Sequence, residues 1–169
     1  MPLNLELKIR LDNPENVLRI VKKINADFKG ELKQIDVYYK IKTGLLKLRL
    51  ENGSQTLIKY LRNEKPGDRW SDFHLISLEK NDARKFLAGI LDEETVVEKR
   101  RLLYLYDNTR IHIDMVKELG SFLEFETLVD SGKEDAKKRF DALLELLSIK
   151  KADEIRKSYR DMMLEKDTV

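Results

Sequence analysis

Charged residues occupy every second position in several short stretches of this chain, and that spacing suggests a chemistry. In L-N-L-E-L-K-I-R-L, residues 3–11, Glu6, Lys8 and Arg10 alternate with leucine and isoleucine. Lys47, Arg49 and Glu51 do the same in L-L-K-L-R-L-E, residues 45–51. Side chains two apart on a strand point to one side, so each stretch has an apolar face and a charged face. The same parity gathers Lys99 with Arg101, then Arg110, His112 and Asp114, then Glu124 and Glu126, while Arg62 ends its strand in phase with Tyr60. Eight cations, Lys8, Arg10, Lys47, Arg49, Arg62, Lys99, Arg101 and Arg110, thus fall on one face of a protein whose net charge is only +2. Lysine offers an anion a point charge and arginine a bidentate fork. Glu124 and Glu126 have no counter-charge between them, and two carboxylates that close repel unless a cation joins them.

Strands must position these side chains. They are read over 3–11, 31–41, 45–51, 55–62, 71–79, 94–106, 109–116 and 121–129. Lys42-Thr43-Gly44, Asn52-Gly53-Ser54, Asp107-Asn108 and Leu119-Gly120 read as turns, and 63–70 as a polar loop. A helix follows the first strand, with Asn13 as its cap, Pro14 in the first position and Val17, Leu18, Ile20, Val21 and Ile24 as its apolar stripe. Asn81 is expected to cap a short helix. Ala136, Phe140, Leu143, Leu144 and Leu147 mark a longer one, and a last short helix falls near 153–165. The class is α+β, with mostly antiparallel strands.

A solvated sheet face intersperses its signs. Here cations recur on most strands, while carboxylates gather on the first, seventh and eighth. The apolar faces need covering, and the helices carry matching stripes. The economical arrangement is a closed barrel with charges inside and helices packed on the outside. Buried cations cannot stay unpaired, so such a tunnel is expected to hold an anion.

Composition narrows the alternatives. The 169 residues predict one domain, 1–169, with no cysteine for disulfide or thiolate chemistry. The absence of a signal-like stretch and of a membrane-length apolar run predicts a cytoplasmic protein with no membrane partner. The small net charge gives no support to nucleic-acid binding. Two histidines without H-x-x-x-H spacing argue against zinc, and no phosphate loop of the G-x-x-x-x-G-K-[ST] kind is present.

L-E-L-K-I-R-L resembles the opening E-x-E-x-K signature of the CYTH family, the triphosphate tunnel enzymes. Similar family segments follow in order: K-L-R at 47–49, L-I-K-Y-L-R at 57–62, K-R-R-L-L-Y at 99–104, R-I-H-I-D-M-V-K-E-L-G-S-F-L-E-F-E at 110–126 and K-S-Y at 157–159. The resemblance implies an eight-stranded antiparallel barrel whose tunnel binds a triphosphate, and Mg²⁺ or Mn²⁺ as cofactor. It implies phosphate binding by Lys8, Arg10, Lys47, Arg49, Arg62, Lys99, Arg101 and Arg110. It implies metal ligation by Glu6, Asp114, Glu124 and Glu126, with Glu6, Lys8, Asp114 and Glu126 as the catalytic set. The chain departs at Asn4, where the signature begins with Glu; an amide oxygen can ligate a hard cation but carries no charge.

The expected activity is hydrolysis of an inorganic or organic triphosphate, with tripolyphosphate, ATP and thiamine triphosphate as candidate substrates. The alternatives are cyclisation of ATP, as in class IV adenylyl cyclases, and non-catalytic binding of polyphosphate or nucleotide, by a monomer or a homodimer. No pocket for a base is legible. His112 reads either as an acid–base group or as a neutral interior histidine. Trp70 reads either as a base-stacking residue at the tunnel mouth or as an anchor.

Overall fold

The computed structural model describes residues 3–62, 66–79 and 82–169, apart from the side chain of Arg62. Alternating sequence becomes strand and amphipathic sequence becomes helix in the order β1 (Leu3–Leu11), α1 (Pro14–Lys23), β2 (Asp27–Tyr39), β3 (Leu45–Glu51), β4 (Ser54–Arg62), β5 (Arg69–Leu78), α2 (Ala83–Ala88), β6 (Glu93–Tyr106), β7 (Thr109–Val116), β8 (Gly120–Leu128), α3 (Lys133–Leu146) and α4 (Tyr159–Asp167). A 3₁₀ turn at Lys151–Asp153 separates the last two helices. The strands close into one antiparallel barrel in the order β1-β5-β4-β3-β2-β6-β7-β8, which leaves no open sheet edge. Asn13 caps α1 through the amide of Glu15, with Pro14 in the first turn. Asp82 caps α2; Asn81, the expected cap, lies outside the described residues. The β3–β4 turn has positive φ at both Asn52 and Gly53, as a tight hairpin requires. Gly44 is required as well, because a Cβ there would stand 2.7 Å from the carbonyl oxygen of Tyr60.

The outward faces form two apolar clusters. Leu5, Leu7, Ile9, Ile111, Ile113, Leu123 and Phe125 pack beneath Val21 of α1 and Phe140, Leu143 and Leu144 of α3. Val37, Tyr39 and Leu48 pack under Ala83 of α2. A third cluster joins Tyr38, Val97, Val116 and Phe122 to Tyr159 and Met163 of α4. These four strand residues share the parity of the charged side chains, so this cluster lies inside the barrel. The expectation that all helices pack outside therefore holds for three of them, and α4 fills one end of the barrel. The chain leading to it is tied down: Ile155 donates its amide to the Lys8 carbonyl at 2.7 Å, and Arg69 donates to the carbonyls of Ile155 and Arg156. No helix among the described residues is long and apolar enough to cross a membrane.

Candidate anion cavity and metal site

The inward side chains line a cavity of about 340 Å³. Asp36 on β2 faces Arg49 on β3 directly across the ladder, and Arg49 donates Nε and Nη2 to its two oxygens at 2.7 and 2.8 Å. Lys47 Nζ stands 2.8 Å and Lys99 Nζ 3.5 Å from the same carboxylate. Burial by itself would raise the Asp36 carboxyl. The charges of Lys47, Arg49 and Lys99 outweigh it and hold the group well below the usual carboxylate range. The lysines bear the complementary strain: burial, with Arg49 alongside, draws Lys47 well below the ordinary amine range, and burial, with Arg101 alongside, lowers Lys99.

The motif repeats on β6 and β7. Arg101 faces Asp114 and donates Nε and Nη2 to its oxygens at 2.7 and 2.6 Å. Arg101 Nη2 also reaches Glu124 at 2.8 Å, Lys8 Nζ lies 3.2 Å from Glu124, and Arg110 Nη2 lies 2.9 Å from Glu126. Six cations thus share four carboxylates, and Glu6 and Glu51 also line the wall. The buried cations were expected to need an anion, and carboxylates of the protein itself meet that need here: the described cavity is close to balance in charge, with each of the six cations engaged.

A donor cluster adjoins these pairs. His112 Nδ1 and one oxygen each of Glu124 and Glu126 lie within 4.8 Å of one another. Nδ1 is buried and makes no hydrogen bond; its distances of 3.8 Å to Glu124 and 3.9 Å to Glu126 are too long for one. Burial, then the nearby Arg101, lowers the imidazole pKa, which favours the neutral form that ligates metals. Asn4 Oδ1, on the same wall, is likewise buried without a hydrogen-bond partner. Two carboxylates and two unserved donor atoms make a set that fits a divalent cation. Glu6 stands opposite Glu126 across the β1–β8 ladder.

The expected site residues divide. Glu6, Lys8, Lys47, Arg49, Lys99, Arg101, Arg110, Glu124 and Glu126 all line the cavity. Asp114 does not: it is fully buried behind Arg101 and accepts a further hydrogen bond from Tyr159 Oη at 2.9 Å. The carboxylates Glu124 and Glu126 have His112, and not Asp114, as their third neighbour in the donor cluster. Arg10 shares the right parity but lies past the end of the cavity, exposed, bonded to the Leu119 carbonyl at 2.7 Å and over the Phe122 ring. The side chain of Arg62 lies outside the described residues. Trp70 faces outward on β5, packed against the outer core with Lys133 over its ring, so it anchors and does not face the mouth. Asp36 went unnoticed, although its parity with Gln34 and Tyr38 in Q-I-D-V-Y was visible; no run of alternating charge drew attention to that strand.

The closed antiparallel barrel with a cation- and carboxylate-lined interior defines the triphosphate-tunnel class of folds. The chain belongs to the CYTH domain family, which matches residues 3–159. It is similar to the PH1012 protein of Pyrococcus horikoshii OT3, at 25% identity over 94% of this chain and 98% of that one, with a TM-score of 0.83. A candidate adenylate cyclase of Vibrio parahaemolyticus is 21% identical over 95% and 97%, with a TM-score of 0.77. HpAC1 of Hippeastrum, a candidate adenylyl cyclase with a dominant triphosphatase activity, is 12% identical over 99% and 96%, with a TM-score of 0.71. No curated protein matches the chain in a sequence comparison.

Proposed function

We propose that this protein is a metal-dependent phosphohydrolase that takes a triphosphate into the barrel. The observation that carries the reading is the adjacency of two unlike groups: six cations from four strands around the cavity, and the His112, Glu124 and Glu126 donors beside them. Lys8, Lys47, Arg49, Lys99, Arg101 and Arg110 would hold the phosphate oxygens, and Arg62 joins them as a proposal from its sequence position. Glu124, Glu126 and His112 would hold Mg²⁺ or Mn²⁺, with Glu6 and Asn4 next to them on β1. Bound there, a divalent ion neutralises phosphate charge and makes water more acidic.

The remaining steps belong to the protein. Triphosphate binding exchanges carboxylate partners for phosphate oxygens at Lys8, Arg101 and Arg110. Asp36 and Asp114 keep Arg49 and Arg101 oriented throughout, so little reorganisation accompanies the reaction. Glu6 is the carboxylate suited to accept the proton of an attacking water. Cyclisation would need in addition a ribose hydroxyl aligned on the α-phosphorus, a requirement that hydrolysis does not have. Hydrolysis is therefore the primary reading. The proposal includes a single domain over 1–169 and a cytoplasmic location.

The test is product analysis with tripolyphosphate, ATP and thiamine triphosphate, with and without Mg²⁺ or Mn²⁺. Metal-dependent phosphate release is expected. Cyclic AMP as the main product would replace hydrolysis by cyclisation, and tight binding without turnover would leave a binding protein.

A further inference from the structure

Closure leaves no strand that is an edge along its whole length, but the strands are staggered, and four of them run five residues or more past a neighbour. On such a flank every second residue directs its N–H and C=O away from the remaining partner, as at the edge of an open sheet. Three of the flanks are guarded. Residues 7–11 of β1 are met by the chain leading to α4, where Ile155 donates its amide to the Lys8 carbonyl. Residues 93–98 of β6 carry Glu93, Glu94 and Glu98; Lys117 donates its amide to the Glu98 carbonyl, and Arg160 of α4 pairs with Glu94. Residues 27–33 of β2 carry Asp27, Lys29, Glu31 and Lys33, with a bulge between Phe28 and Gly30. Charges, bulges and covering chain are the usual guards against pairing with another molecule.

The fourth flank has none of these among the described residues. β5 pairs with β1 only from Arg69 to Asp72, yet it continues beside β4 in unbroken register as far as Leu78. Residues 73–78, F-H-L-I-S-L, contain no acidic residue, lysine, arginine, proline or glycine, in a chain of which 38% is charged. Leu75 points to the barrel interior and Ile76 to the outside, and they are 56% and 59% exposed, so the strand stands clear on both faces. Among the described residues, none outside β4 makes a backbone hydrogen bond to this stretch.

We infer that residues 73–78 pair antiparallel with the same residues of a second copy of this chain, about a twofold axis normal to the sheet. An identical antiparallel strand is self-complementary: each copy returns the hydrogen bonds it receives, and the contact closes at two chains. The absence of charge favours this occupant, because a charged residue near the axis would meet its own counterpart across the seam. Leu75 and Ile76 gain apolar neighbours on the two faces. Phe86 of α2 and Ile90 just after it, 70% and 63% exposed, add apolar surface on the outer side. A seam of six residues is small, so a weak, concentration-dependent dimer is expected. The pairing does not depend on what the cavity binds.

Sedimentation equilibrium over a concentration series is expected to show the mass rising from 19.9 kDa toward twice that value. Leu75→Lys and Ile76→Lys replace exposed side chains and should each raise the dimer dissociation constant at least tenfold, with the unfolding midpoint of dilute protein unchanged. Phe28→Lys, on the guarded flank of β2, should leave the constant within twofold. A second readout is specific for strand pairing, because the chain contains no cysteine. His74→Cys, Leu75→Cys, Ile76→Cys and Ser77→Cys, made one at a time, should crosslink between copies under mild oxidation. One sharp maximum is expected, at the residue that faces its own counterpart across the axis. A monomer at every concentration overturns the inference, whether or not an extended peptide adds to the flank instead. So does a dimer that both lysine variants leave intact, a mass that grows past two chains, or crosslinking that is equal at all four positions.

Discussion

Arg49 closes on Asp36 with two parallel hydrogen bonds, from a position directly opposite it across the β2–β3 ladder. Such a pair fixes the plane of the guanidinium more tightly than a single contact can. Asp36 does not line the cavity while Arg49 does, so the carboxylate backs the arginine from the wall side. Arg101 and Asp114 repeat the arrangement two strands further round the barrel.

Removing the carboxylate tests this support. Asp36→Asn leaves Lys47, Arg49 and Lys99 buried without their shared anion, and losing one side of a buried ion pair destabilises by about 3–5 kcal/mol. Tripolyphosphate should restore more stability to this variant than to the wild type, because the ligand supplies the missing negative charge. Thermal unfolding with and without tripolyphosphate measures both effects. An equal ligand-induced shift in the two proteins would mean that the anion does not bind at these cations.

The cations themselves are expected to carry the affinity. Arg49→Ala or Lys8→Ala should weaken tripolyphosphate binding by more than ~1.5 kcal/mol, the lower range for a hydrogen bond to a charged group. Lys117→Ala, an exposed cation paired with Glu98 on the outer surface, should have almost no effect. Similar losses in all three would show that the cavity is not the site.

Metal response should follow the donor cluster. Glu124→Gln combined with Glu126→Gln is expected to abolish Mg²⁺ or Mn²⁺ dependence, and His112→Ala to weaken metal activation while the fold persists. The readout is phosphate release against metal concentration. Unchanged activation in the double variant would remove both carboxylates from the metal set.

Asn4 offers the converse experiment. Its side-chain oxygen is buried on the cavity wall without a partner, and a carboxylate there would bind a hard cation better than an amide does. Asn4→Glu should lower the metal concentration needed for half-maximal turnover. Asn16→Glu, on the exposed surface of α1, serves as the control. If Asn4→Glu leaves activation unchanged or impairs it, the amide is not a weakened ligand position.

Lys47 predicts a pH effect of definite sign. In the free protein, burial and then Arg49 hold its pKa well below the ordinary 10.5. A bound polyanion favours the charged amine and raises that pKa again. Between the two values, binding therefore takes up a proton, and affinity falls as pH rises, by at most tenfold per pH unit for one group. Calorimetry in two buffers of different ionisation enthalpy counts the protons. Release of protons on binding would contradict the assignment.

Much of this arrangement was legible from spacing. A period of two places Lys8, Lys47, Arg49, Lys99 and Arg101 on one face regardless of how the strands are arranged, and apolar stripes on the helices require that face to turn inward. Height along the barrel axis was not legible, because it depends on the tilt and stagger of the strands. Arg10 shows the difference, with the right parity but a position past the end of the cavity. Asp114 has the right parity too, yet Arg101 takes its oxygens, and a cross-strand partner depends on register. Tyr159 and Met163 read as an ordinary helical stripe, which gave no sign that α4 enters the barrel.

The seating of α4 has a consequence for how long chains are read. With Tyr159 and Met163 seated in one end, and the approach to α4 pinned to the Lys8 carbonyl, a substrate of the proposed reaction would enter, and its products leave, by the other end. A linear polyphosphate cannot thread through such a chamber; only its terminus can reach the cations. Cleavage would proceed from chain ends, never from the middle, and each product must depart before the next terminus can enter.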